Sequence, residues 1–278
     1  MEAFKNIRGL IIDMDGVLWH GTKPIPGLTE FFQTLRSKQI RFILATNNAS
    51  LTPEQYVAKL AGMGVAVELN EIMTSALATA LYLSQQTDPT KTRVFVVGED
   101  GAKQALINKG FTLTDLYEYN DGNPDHPQNG ADYVVVGKDE TLSWQKLATA
   151  TLNIRAGAKF IGTNADTTLP TERGLTHGNG AILAALQAAT DVVPVSIGKP
   201  EPIMYQQAIG LLDLPPDDIL AIGDKMSTDI LGAVRTGIRS ILVLTGVSNR
   251  EELKTTDYQP TWVMEDIREI TAAIQNKL

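Results

Sequence analysis

The chain has 278 residues, more than one average domain, with 43% hydrophobic and 20% charged residues, the make-up of a globular protein with a substantial core. Its net charge of −8, with no long basic run, argues against nucleic acid or an anionic membrane surface as partner. There is no cysteine, which excludes disulfides, thiolate metal sites and a cysteine nucleophile, and three histidines (His20, His126, His177) are too few for a His-rich zinc site.

The N-terminus shows no signal-peptide pattern and no apolar run is long enough to span a bilayer, so a cytoplasmic enzyme is expected. The apolar run Leu10 to Ile12 reads as a buried strand and leads into Asp13-Met-Asp15-Gly16. Two carboxylates crowded at a strand's carboxyl end call for a cation, and Mg²⁺ is the hard ion that oxygen ligands favour. Taken alone, D-x-D-G is equally a strand ending in a polar turn. A helix is predicted over Thr29 to Lys38, with Phe31, Phe32 and Leu35 on one face, and a second buried strand over Arg41 to Ala45. That strand runs into Thr46-Asn47-Asn48, a set of small hydrogen-bonding side chains. Thr52-Pro53-Glu54 starts a helix, with Thr as N-cap, Pro at the first position and an acid in the first turn. A further helix is predicted from Glu71 to Leu83.

The pattern then restarts. Strands are predicted at Arg93–Val97, Tyr133–Val136 and Phe160–Ile161, with helices over Glu99 to Lys109 and Ser143 to Gly157 and a surface loop from Asn120 to Gly130. This stretch has its own α/β rhythm and reads as a domain inserted into the first. Thr163 to Gly180 is a glycine-punctuated loop carrying Asn164 and Asp166, followed by a helix over Ala181 to Ala189. Val192–Val195 is extended, and Ser196 to Pro202 is a loop with one lysine, Lys199, before a helix over Ile203 to Leu211. Ile219–Ile222 is a strand ending in Gly223-Asp224 with Asp229 five residues on, and the helix after it stops at Gly237. Ser240–Leu244 is the next strand, and the tail from Glu265 is helical. Alternating β and α elements predict an α/β fold, a Rossmann-like doubly wound parallel sheet whose ligands sit beyond the strands' carboxyl ends. The expected division is a core of 1–82 and 182–278 with an inserted α/β domain at 83–181.

Asp13-Met-Asp15-Gly16, Thr46, Lys199 and Gly223-Asp224…Asp229, in that order and each after an apolar run, resemble the four motifs of the haloacid dehalogenase superfamily. Asp13-Met-Asp-Gly-Val-Leu-Trp19, Ala45-Thr-Asn-Asn48 and Gly198-Lys-Pro200 look like the branch typified by NagD and the 4-nitrophenylphosphatases, in which a C2-type α/β cap lies between the second and third motifs. The resemblance implies a Mg²⁺-dependent phosphate-monoester hydrolase. Asp13 would be the nucleophile and Asp15 the general acid and base, with Thr46 and Lys199 holding phosphoryl oxygens and donors near Asn47 and Asn48 assisting. Mg²⁺ would sit on Asp13, the Asp15 backbone carbonyl and Asp224, with Asp229 orienting a metal water or Lys199. The loop with Asn164 and Asp166 would face the leaving group. Leu169 stands where the pyridoxal-phosphate phosphatases carry a histidine, which disfavours that substrate. The implied partner is a small phosphate ester, a sugar phosphate or nucleoside monophosphate; a homo-oligomer is compatible with this reading.

Other readings differ in testable ways. A phosphomutase of the same superfamily usually places a helical cap between the first two motifs, and only about thirty residues separate Asp15 from Thr46. A signalling receiver module does not carry its phosphoacceptor on the first strand. A non-catalytic binding protein would have no need of intact acidic and lysine positions.

Overall fold

The computed structural model describes residues 6–171 and 173–276. The chain forms two compact units, one of Met1–Thr46, Pro53–Met73 and Lys199–Leu278, the other of Asn47–Thr52 and Thr74–Gly198. Both are α/β. Among the described residues no helix is long and apolar enough to cross a membrane.

The first unit is built on a six-stranded sheet in the spatial order Trp262–Met264, Arg239–Val243, Ile219–Gly223, Gly9–Ile12, Arg41–Thr46, Ile72–Thr74. Strand Gly9–Ile12 pairs in parallel with Ile219–Gly223 on one side and with Arg41–Thr46 on the other. The chain order therefore reverses at this strand, which makes its carboxyl end a topological switch point, where ligands of open α/β sheets bind. All four of its residues are buried, as the unbroken apolar run requires. Helix Leu28–Ser37 buries Phe31, Phe32 and Leu35 and packs on helix Ile267–Gln275, while Pro202–Leu212 packs on Leu231–Thr236 and on the central strands.

The second unit has a five-stranded sheet, Val195–Ser196, Lys159–Gly162, Tyr133–Val136, Arg93–Val97, Thr112–Leu113, with every neighbouring pair parallel. Its core joins Val97, Val134, Val136 and Phe160 from the sheet with Ile154, Ile182, Leu183 and Leu186 from helices.

The insertion expected at 83–181 is wider. Helix Asn179–Thr190 puts Ile182, Leu183 and Leu186 into the second unit's core, and helix Ser75–Gln86 packs on Asp100–Asn108, so both belong to that unit. The helix expected to begin at Glu71 begins at Ser75. Ile72–Thr74 instead extends the first sheet as a fully buried edge strand, and the Thr74 hydroxyl then caps the helix by accepting from the Leu77 N–H at 3.1 Å. The glycine-punctuated loop contains an antiparallel hairpin, Thr168–Thr171 with Gly174–His177. Strand Trp262–Met264 has no signal in the hydrophobic pattern, being three residues long and only partly buried.

Candidate active site

Asp13 follows the central strand, and its N–H donates to the Ile222 carbonyl of the neighbouring strand at 2.8 Å. Asp224 follows that neighbour, so backbone pairing alone sets the two carboxylates side by side at the switch point. Asp229 is brought inward by a short π-helical stretch, Met226–Ile230, a distortion that recurs at functional positions. One carboxylate oxygen each of Asp13, Asp224 and Asp229 lies within 4.8 Å of the others.

Lys199 supplies the cation. Its side chain is 3% exposed, and its ammonium donates to Asp13 Oδ1 at 2.5 Å, Asp229 Oδ1 at 2.6 Å and the Ala45 carbonyl at 3.0 Å. Burial alone would lower the Lys199 proton affinity, but Asp13 and Asp229 outweigh it and hold the lysine charged. Burial pushes the Asp13 carboxyl well above the usual carboxylate range, against the opposing pull of Lys199 and with Asp229 and Asp224 adding to the rise. Asp224 is pushed up to about 6, first by burial and then by Asp229, despite a donated bond from the Val247 N–H.

Three carboxylates thus face one ammonium, and the cluster carries negative charge that a buried site does not tolerate unpaired. Its donors are oxygens alone; no histidine belongs to the group. This set fits a hard divalent cation such as Mg²⁺. Glycine backs Asp224 on two sides. Gly16 has φ +84°, and a Cβ there would stand 2.5 Å from Asp224 Oδ2; one on Gly246 would stand 1.8 Å from the same atom. A side chain at either position would displace the carboxylate.

Asp15 is exposed, and its Oδ1 accepts from the indole N–H of Trp19 at 2.7 Å. Thr46 ends strand Arg41–Thr46 and is buried beside the Ala45 carbonyl that Lys199 engages.

The remaining predicted residues lie in the second unit. Asn47 Nδ2 donates to Asp166 Oδ2 at 2.9 Å, and Asn164 Nδ2 to the Asn47 carbonyl at 2.8 Å. The Asp166 N–H donates to Asn164 Oδ1 at 3.2 Å, so these three form one connected network. Asn179 anchors it by donating to the Asn164 and Val136 carbonyls. Asn48 Oδ1 accepts from the Ser50 N–H at 2.9 Å in a local turn. Pattern reading missed the Val247 N–H on Asp224 and the Trp19 N–H on Asp15. The first is a backbone group with no sequence signal; the second was legible only as an aromatic four residues after the acid.

A haloacid dehalogenase-like hydrolase model matches residues 10–112, and a HAD-hydrolase-like model matches residues 196–270. The acid sugar phosphatase of Staphylococcus saprophyticus is 38% identical over 271 residues, covering 98% of this chain and 99% of its own. That of Staphylococcus haemolyticus is 40% identical over 264 residues, 95% of each chain. Among solved structures, the 4-nitrophenylphosphatase of Thermotoga maritima superposes with a TM-score of 0.88 at 32% identity, covering 99% of this chain and 100% of that one.

Proposed function

The chain belongs to the haloacid dehalogenase-like hydrolases, and on that footing we propose that it is a Mg²⁺-dependent phosphatase of small phosphate monoesters, sugar phosphates or nucleoside monophosphates, working through an aspartyl-phosphate. The observation that carries the reading is Asp13 at the switch point, held by Lys199 within a cluster of three carboxylates.

The reaction follows from the side chains. A carboxylate oxygen of Asp13 attacks phosphorus; that O–P bond forms as the bond to the leaving oxygen breaks. Asp15 gives its proton to the departing alkoxide and so becomes a carboxylate. It then takes a proton from a water, whose oxygen attacks the same phosphorus and releases phosphate and the Asp13 carboxylate. Lys199 and the Thr46 hydroxyl hold phosphoryl oxygens as charge spreads over them. Asp229 keeps Lys199 in place and charged through the 2.6 Å pair. Asp13, Asp224 and the Asp15 backbone carbonyl would hold the cation, which when bound neutralises carboxylate and phosphoryl charge. Discrimination among substrates is assigned to Asn164 and Asp166. Relatives named acid sugar phosphatase favour sugar phosphates within the class.

The test is phosphate release from 4-nitrophenyl phosphate. Activity is expected with Mg²⁺, none in EDTA, and inhibition by Ca²⁺, which prefers more ligands at longer distances. Full activity in EDTA would overturn the reading. A screen of phosphorylated metabolites by kcat/KM identifies the preferred ester.

A further inference from the structure

Asp15 presents a difficulty for a proton donor. Its side chain is exposed, on a segment where an aspartate ordinarily samples several rotamers. The Trp19 indole N–H addresses that carboxyl at close range, 2.7 Å from Oδ1. Trp19, by contrast, is fully buried, and its position is fixed from several directions. The Gly16 N–H donates to the Trp19 carbonyl at 2.8 Å, closing the turn that folds residue 19 back on residue 15. The ring stacks on Tyr56 at 6.5 Å between centroids, and the Lys59 ammonium lies 4.2 Å over its face. A cation on an indole face is attracted by the ring's quadrupole and draws electron density from the N–H, which makes it a better donor.

We propose that Trp19, braced by Lys59, is a positioning residue that orients Asp15 for proton transfer to the leaving group. This rests on the phosphatase reading above. An indole N–H can only donate, so Oδ1 serves as acceptor and the transferable proton is kept on Oδ2. When the ester P–O bond breaks, the Oδ2–H bond breaks with it and the proton passes to the leaving oxygen. Trp19 itself touches no reacting atom; it turns a mobile acid into one with a fixed face.

The experiment compares kcat/KM for 4-nitrophenyl phosphate, whose leaving group departs with little protonation, with kcat/KM for glycerol phosphate, whose alkoxide depends on it. This parameter covers steps up to the aspartyl-phosphate and leaves out its hydrolysis. Trp19→Phe keeps a packed ring and removes the donor. It is expected to lower the glycerol phosphate value about tenfold or more, a share of the 10²–10⁴ that general acids supply, and the 4-nitrophenyl phosphate value less than about threefold. Lys59→Met, at a half-buried position, is expected to show the same bias at smaller size, and it carries the test should Trp19→Phe not fold. A loss equal on both substrates, or no loss on either, would overturn the proposal. Wild-type protein with no activity on either ester would overturn the phosphatase reading instead.

Discussion

Replacing Asp224 by Asn should make the metal-free protein more stable, and the gain should depend on pH. Burial, the neighbouring Asp229 and the opposing Val247 N–H together put the Asp224 carboxyl at about 6 against an ordinary 3.8. At about 1.4 kcal/mol per tenfold change in proton affinity, this difference is worth ~3 kcal/mol. The folded-state value is the raised one, so the folded protein holds the proton more tightly than the unfolded chain. Stability is therefore full below about pH 4 and is lost as pH rises through about 6. An amide imitates the protonated acid and can still accept the Val247 N–H. In EDTA at pH 8, Asp224→Asn should exceed wild type by up to ~3 kcal/mol, or ~6 °C at about 2 °C per kcal/mol for a chain of this size. At pH 4, near the ordinary carboxylate value, the gap should shrink to under about 1 kcal/mol. Mg²⁺ at about a thousand times its dissociation constant should reverse the order at pH 8, since wild type then gains about 4.1 kcal/mol and the variant does not. Thermal melts followed by circular dichroism at both pH values, with EDTA and with Mg²⁺, measure all of this. A variant less stable than wild type in EDTA at pH 8, or a gap unchanged at pH 4, would refute the reasoning.

Asp13→Asn should fold normally and lose more than about a hundredfold in turnover, because an amide does not serve as the attacking carboxylate; phosphate release by the purified, Mg²⁺-loaded variant is the check. Asp166→Ala should reorder kcat/KM among phosphometabolites more than it changes hydrolysis of acetyl phosphate, whereas Lys199→Ala should depress every substrate. The reverse pattern would place specificity on the wrong residue. In the second unit, burial would raise the Asp139 carboxyl, but bonds from Lys146 at 2.6 Å and from the Thr141 hydroxyl and N–H hold it below the ordinary range. Its contribution is present above about pH 4 and lost as pH falls through the lowered value, so Lys146→Met should cost about 1–3 kcal/mol in urea denaturation at pH 7 and progressively less toward pH 3.

Local chemistry made much of this molecule readable. The apolar runs before Asp13, Thr46 and Asp224 announce buried strands because parallel strands covered on both faces need continuous hydrophobicity. Ser143 and Gly237 end helices where capping chemistry says they should, the first through a side chain that accepts from Lys146 N–H and the second through φ +73°. The order of Asp13, Asp15, Thr46, Lys199, Asp224 and Asp229 was in the sequence too, as was the reason to pair carboxylates with a cation. Tertiary structure decided what periodicity has no means to encode. Ile72–Thr74 looks helical by its neighbours, and only an open sheet edge beside Arg41–Thr46 makes it a strand. Helix Asn179–Thr190 follows the loop at which an insertion would end, yet the apolar partners for Ile182, Leu183 and Leu186 lie in the second unit, and burial assigns it there. That Lys199 meets Asp13, 186 residues away, depends on strand order and the switch point it creates. Spacing along the chain carries no measure of such distances; pairing of the strands does.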